Sequence, residues 1–440
     1  MSVFHKWGAG VDADLPRVER AYDEFLVTGD GELVDAAAGA AVANLGHSVP
    51  GVGEVAARQA EEVGYLSTAH FTHDATDCLA DRLTDLTPAR LDHPFLVNSG
   101  SEAIETAIKL ARAYHRETGS PGKHKVVGRW ESYHGATLGA LSASGATGRR
   151  TAFDPLLHDW PKVPSAYPYR WTYEGSPAEQ ARAAARELER VVRREGPETV
   201  AAFVAEPVSG ASIPAAHPHP AYFAEVRRIC DEYDLVFVAD EVMTGFGRAG
   251  PAFAVERFDV TPDVLVVGKG LAGGYAPVSA AVVHERVAEA FAADGGAAFE
   301  HGHTHSGAPV GAAVAAHVLD RYDEATFAAG RALGERIEDG LEPLRDHAHV
   351  GEVRRAGAML GVEFVRDRAT KAPFDPDHEV AEAVYEAAME RGVYTYPGGG
   401  SVDGVAGDHL MLAPPLTTSD DAAERIASAV VGAVEDVLGE

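Results

Sequence analysis

The sequence predicts an α/β fold: a mainly parallel central sheet between helical layers, with a smaller α+β lobe built from the two ends of the chain. Three observations carry this. Strand-type apolar runs alternate with helical patterns through the middle of the chain. Those runs are continuously apolar, as in a sheet covered on both faces. Their C-terminal ends carry ionisable residues, and open α/β sheets bind ligands at that edge.

The elements follow in order. Ser101–Glu117 reads as a helix and 126–130 as a strand. Residues 181–195 form an amphipathic helix, then 200–206 a strand running into Glu206. Ala221–Tyr233 is helical, and 235–240 is a strand ending at Asp240. Residues 264–268 and 278–283 complete the strands, and 422–438 is a terminal amphipathic helix. A chain of 440 residues is long enough for two or three domains, or one large fold with an appended lobe. The large domain is expected at 56–319, and the small one at 1–55 together with 320–440.

Composition narrows the function classes. Hydrophobic residues make up 46% and charged residues 24%, ordinary for a globular enzyme. The net charge of −29 argues against binding nucleic acid or an anionic membrane. No apolar run approaches the roughly 18–20 residues that span a bilayer, and the first residues lack the apolar stretch of a signal peptide. Cys78 and Cys230 match neither a disulfide framework nor a metal spacing, so a cytoplasmic setting without a metal is expected. Dispersed acidity with scarce lysine suggests a surface adapted to high salt.

Scarcity makes one lysine informative. The chain has seven lysines against 31 arginines. Lys269 follows Val264-Leu265-Val266-Val267-Gly268 and precedes Gly270. An apolar wall there disfavours the ammonium form and lowers the pKa, which suits an amine that forms a Schiff base with an aldehyde. The plain alternative is a lysine snorkelling to solvent from a strand end.

Other segments point the same way. Asn98-Ser99-Gly100-Ser101 opens a long helix whose N-terminus suits a phosphate, with Ser101 able to cap it. Tyr133 and His134, in Ser132-Tyr133-His134-Gly135, offer an aromatic face beside small residues. Asp240 needs a cationic partner if buried; a protonated ring nitrogen and Arg248 are both open.

Together these pieces resemble the class III aminotransferases, the ω-aminotransferase group of fold-type I enzymes that use pyridoxal phosphate (PLP). The matching motifs are NSGSEAIETAIKLAR, SYHGAT, AEPVSGA, ADEVMTGFGR, GKGLAGGYAPVSA, HGHTHSG and GDHLMLAPPL, in the expected order, with VANLGH upstream. The resemblance implies that Lys269 bonds the cofactor and then shuttles the substrate proton. It implies that Asp240 pairs with the ring nitrogen, that Val242 packs under the ring and Tyr133 above it, and that Ser99, Gly100 and Ser101 hold the phosphate with His134 nearby. Thr304 resembles a phosphate contact given by a neighbouring subunit, which implies a homodimer with shared sites. Glu206 resembles a carboxylate near the substrate. The implied reaction moves an amino group from a terminal amine or ω-amino acid to a 2-oxo acid such as pyruvate. Decarboxylation, racemisation and amino migration stay open as other outcomes of the same chemistry, as does a non-catalytic protein that kept the fold.

The chain departs from the resemblance in places. Met243 stands where many members have glutamine, and His305 and Ala308 also differ. Gly404, beside Asp403, stands where several relatives carry a mobile arginine that grips an α-carboxylate. Arg170 and Lys6 are the candidate replacements.

Overall fold

The computed structural model describes residues 15–292 and 298–439. A seven-stranded sheet forms the centre, in the order Leu91–Val97, Ser279–His284, Val264–Val267, Val236–Asp240, Val200–Ala205, Lys125–Arg129, Lys162–Val163. The last five of these pair in parallel. Ser279–His284 runs antiparallel to both of its neighbours. The fold is the mainly parallel α/β architecture that the sequence predicts.

Side-chain alternation divides the core in two. Val264 and Val266, with Val236 and Val238, pack into one apolar cluster. Leu265 and Val267, with Phe237 and Ala239, pack into the other. Successive side chains of a strand point to opposite faces, so an unbroken valine-rich run fills both layers. On one side lies the helix Gly100–Glu117, which buries Ala103, Ile104, Ala107, Leu110 and Ala111. On the other lie Pro177–Glu195 and Ala221–Glu232. Pro177–Glu195 starts with proline and a reciprocal Ser176–Glu179 capping box, and Gly196 closes it.

Both ends of the chain contribute smaller sheets. Val18–Tyr22, Phe25–Thr28 and Gly31–Asp35 form an antiparallel meander, and Val393–Tyr394 adds to it in parallel. Val350–Ala356, Met359–Phe364, His409–Leu412 and Tyr396–Gly398 form a second antiparallel sheet. Helices Glu324–Gly340, Val380–Glu390 and Asp420–Leu438 pack around these sheets. The boundary expected at 55/56 falls inside the helix Val52–Glu62.

Candidate active site

The parallel strands end at one edge, and the polar residues gather there. Asp240 is the last residue of its strand, Glu206 follows Ala205, and Lys269 follows Val267 by one glycine. Asn98 and Ser99 follow the edge strand Leu91–Val97, and Ser279 opens the antiparallel strand at the same edge. A cavity of about 520 Å³ is lined by Ser99, Gly100, Ser101, Tyr133, His134, Glu206, Asp240, Val242 and Lys269. Nine of the ten residues singled out in the sequence thus face one space. Thr304 is the tenth. It lies outside that cavity, exposed, with its carbonyl accepting from the Tyr65 hydroxyl at 3.2 Å.

Lys269 has a left-handed backbone, φ 43°, and begins a short 3-10 turn. Burial lowers its amine to about 8, against the opposing pull of the Asp240 and Glu206 carboxylates. Burial also pushes the Glu206 carboxyl up. Glu206 Oε1 accepts from the Gly210 amide at 3.0 Å, and its buried Oε2 has no partner among the described residues.

Asp240 is tied down on both oxygens. Oδ1 accepts from the Val242 amide at 3.0 Å, and Oδ2 lies 2.7 Å from His134 Nδ1. The carboxylate therefore places the ring proton on Nδ1. His134 Nε2 is left buried with no partner among the described residues.

The helix N-terminus reaches the same cavity. Ser99 caps it, accepting from the Glu102 amide at 3.2 Å. The Gly100 and Ser101 amides begin the helix, where N–H groups lack partners within the helix and the dipole favours an anion. Ser101 Oγ instead accepts from the Ala136 amide at 3.0 Å, joining the helix to the loop that carries Tyr133 and His134. A Cβ on Gly100 would meet Val242 Cγ1 at 2.9 Å. Glycine there lets Val242 form the floor.

This geometry has known counterparts. A sequence profile of the family Aminotransferase class-III matches residues 9–434. The chain belongs to the class III aminotransferases. It is 38% identical over 433 residues to the uncharacterized aminotransferase YodT of Bacillus subtilis, covering 96% of each chain. It is 34% identical over 414 residues to an omega-aminotransferase of Caulobacter vibrioides, covering 93% of this chain and 90% of that one. The solved omega transaminase of Pseudomonas jessenii in complex with PMP superposes with a TM-score of 0.88 at 31% identity, covering 96% and 93%. The fold is that of the PLP fold-type I ω-transaminases.

The structure of this aminotransferase corrects several expectations. The protein group that meets Asp240 is His134, not Arg248. Arg248 is wholly buried elsewhere, donating to Asn44 Oδ1 at 2.8 Å and to the Ala358 and Pro414 carbonyls. It ties the N-terminal segment to the site-bearing loop. Ser99, not Ser101, caps the helix. Arg170 is held by the Glu363 carboxylate, with Nε–Oε1 at 2.9 Å, and lines neither the Lys269 cavity nor its neighbours. Lys6 lies outside the described residues. Sequence reasoning passed over Arg149, whose guanidinium carbon sits 4.3 Å above the Tyr133 ring. Its only sequence signal is its place, 15 residues after His134 in a glycine- and alanine-rich segment.

Proposed function

We propose that this class III aminotransferase binds PLP through Lys269 and transfers an amino group from a terminal amine or ω-amino acid to a 2-oxo acid such as pyruvate. The observation that carries the reading is one cavity that joins Lys269, its amine lowered to about 8, to the Asp240 carboxylate and a glycine-started helix N-terminus.

The residues fit the cofactor. The Gly100 and Ser101 amides suit its phosphate, the Asp240 carboxylate suits a protonated ring nitrogen, and Val242 and Tyr133 offer apolar faces for the ring. When bound, PLP supplies an electrophilic carbonyl and an electron sink for a carbanion. Lys269, uncharged over more of the pH range than a free lysine, supplies a nucleophile and a proton carrier. Asp240 fixes the His134 tautomer and presents one negative charge at the cavity wall. His134 Nε2 and Glu206 Oε2, without a partner among the described residues, mark polar atoms that a ligand or water satisfies.

Support for the donor class comes from Gly404. Without arginine there, this loop gives an α-carboxylate no bidentate partner, whereas a terminal amine needs none. We further propose a homodimer in a cytoplasmic setting, with Thr304 serving the partner's phosphate, and a large domain at 56–319 with a small one at 1–55 and 320–440. Thr304 lies apart from Lys269 within one protomer, as a residue donated across an interface does. The test is a set of half-reactions with alanine, glutamate, β-alanine, 4-aminobutyrate and a diamine, followed by pyruvate and 2-oxoglutarate as acceptors. Higher kcat/KM for the ω-amino acids and the diamine is expected. A clear preference for glutamate overturns the donor assignment.

A further inference from the structure

The acceptor carries a carboxylate, and the proposed reaction needs a cation for it. Position 404 cannot supply one. A Cβ on Gly404 would lie 2.1 Å from Thr147 Oγ1, and the backbone there is left-handed, φ +84°. The loop is therefore pressed against the short helix Thr147–Arg150, which carries Arg149. The Asp403 carboxylate is turned into its own loop. Its Oδ1 accepts from the Val405 and Ala406 amides at 3.0 and 2.8 Å.

Arg149 lines the cavity beside that of Lys269. Its guanidinium lies over the ring of Tyr133, which lines the Lys269 cavity. Arg149 itself lines a neighbouring cavity of about 370 Å³, along with Glu131, Tyr396 and Gly404. Ala211 lines both cavities, so the two meet there. Among the described residues lining either space, Lys269 and Arg149 are the lysine and arginine side chains. Arg149 is half-buried, and its field reaches Lys269, where it opposes the ammonium form.

The geometry points to Arg149, its guanidinium held by Tyr133, as the residue that receives the carboxylate of a 2-oxo acid whose carbonyl faces Lys269. This rests on the reading of the chain as an aminotransferase with a 2-oxo acid acceptor. A planar guanidinium stacked on a ring is oriented to meet a carboxylate edge-on, in bidentate contact. The arginine arrives from the segment opposite the loop in which relatives place theirs.

The test uses the PLP-loaded enzyme and two variants, Arg149→Gln and Arg149→Lys. Half-reactions are followed by cofactor absorbance, with a simple amine lacking any carboxylate and with pyruvate. Arg149→Gln is expected to lower kcat/KM for pyruvate about 100-fold and that for the amine less than about threefold, with Arg149→Lys intermediate for pyruvate. Calorimetric titration with propionate, which carries the carboxylate but no keto group, should show binding at least about tenfold weaker in Arg149→Gln. Equal losses for amine and pyruvate would show that Arg149 only positions Tyr133, and unchanged propionate affinity would likewise overturn the assignment. A wild-type enzyme whose cofactor absorbance does not respond to any amine would instead sink the aminotransferase reading itself.

Discussion

Lys269 carries two opposed demands, since its chemistry needs a neutral amine and its folding burden comes from the charged one. Its folded pKa of about 8 lies below the ordinary 10.5. Below pH 8 both folded and unfolded states hold the proton, and the folded state bears the full cost of a buried ammonium. Between 8 and 10.5 the unfolded state binds more protons, so stability rises with pH across that window. Lys269→Met should therefore stabilise the cofactor-free protein at neutral pH by about 3 kcal/mol, with the gain fading toward pH 10.5. Urea midpoints at several pH values measure it. The same variant should abolish turnover while the far-ultraviolet spectrum stays native. Asp240→Asn removes charge but keeps an acceptor for His134. On the scale of other preorganised electrostatic groups, about 3–4 kcal/mol, kcat should fall by roughly 10²–10³. A fall under about tenfold would reduce Asp240 to a positioning residue for His134.

At the scale of elements, the glycine-rich loop at 399–407 is shaped by contact rather than by charge. Gly404→Arg should not graft a working carboxylate clamp. The added Cβ meets Thr147 Oγ1 at 2.1 Å on a backbone that disfavours any side chain. A loss of about 1–3 kcal/mol in unfolding free energy is expected, with no gain in kcat/KM for dicarboxylic 2-oxo acids. A gain would show that the loop moves freely from Thr147.

The inner strands were legible because burial on both faces leaves only apolar side chains, as in Val264-Leu265-Val266-Val267. The strand Leu91–Val97 was not, because Asp92, His93 and Pro94 break the pattern. It is an edge strand, where proline costs little. Lys162–Val163, at the other edge, is too short to leave a signature. The site was legible where chemistry sits at a strand end, as with Asp240 and Lys269. Its pairings were not. Asp240 finds His134 106 residues away, and Arg170 finds Glu363 193 residues away. Local sequence gives such partners no mark.

For the whole molecule, net charge competes with local pairing. Arg186–Glu225 and Arg228–Glu189 stitch together the helices Pro177–Glu195 and Ala221–Glu232. Surface pairs of this kind, with the carboxylate half-buried, are each worth about 0–1 kcal/mol and weaken with salt. A net charge of −29 opposes compaction over the entire surface, and salt relieves it. Stability should rise between about 0.1 M and about 1 M KCl, as the Debye length shrinks from about 10 to about 3 Å. A urea midpoint that falls or stays flat would reject salt adaptation. Sharing of the site across a dimer is tested by mixing Thr304→Ala with Lys269→Ala under verified subunit exchange. Each hybrid then holds one doubly defective and one intact site, so activity should reappear.

The alternation of Val264 to Val267 between two core layers also sets the phase of the lysine beyond them. Deleting one residue from that strand would exchange the layers' side chains and swing the amine toward the wrong face of the sheet. Deleting two would restore the facing but draw Lys269 back by about 6.6 Å, two rises of a strand, away from Asp240. The strand therefore works as a ruler graduated in steps of two, and descent within this fold can change the residues on the ruler far more easily than its length.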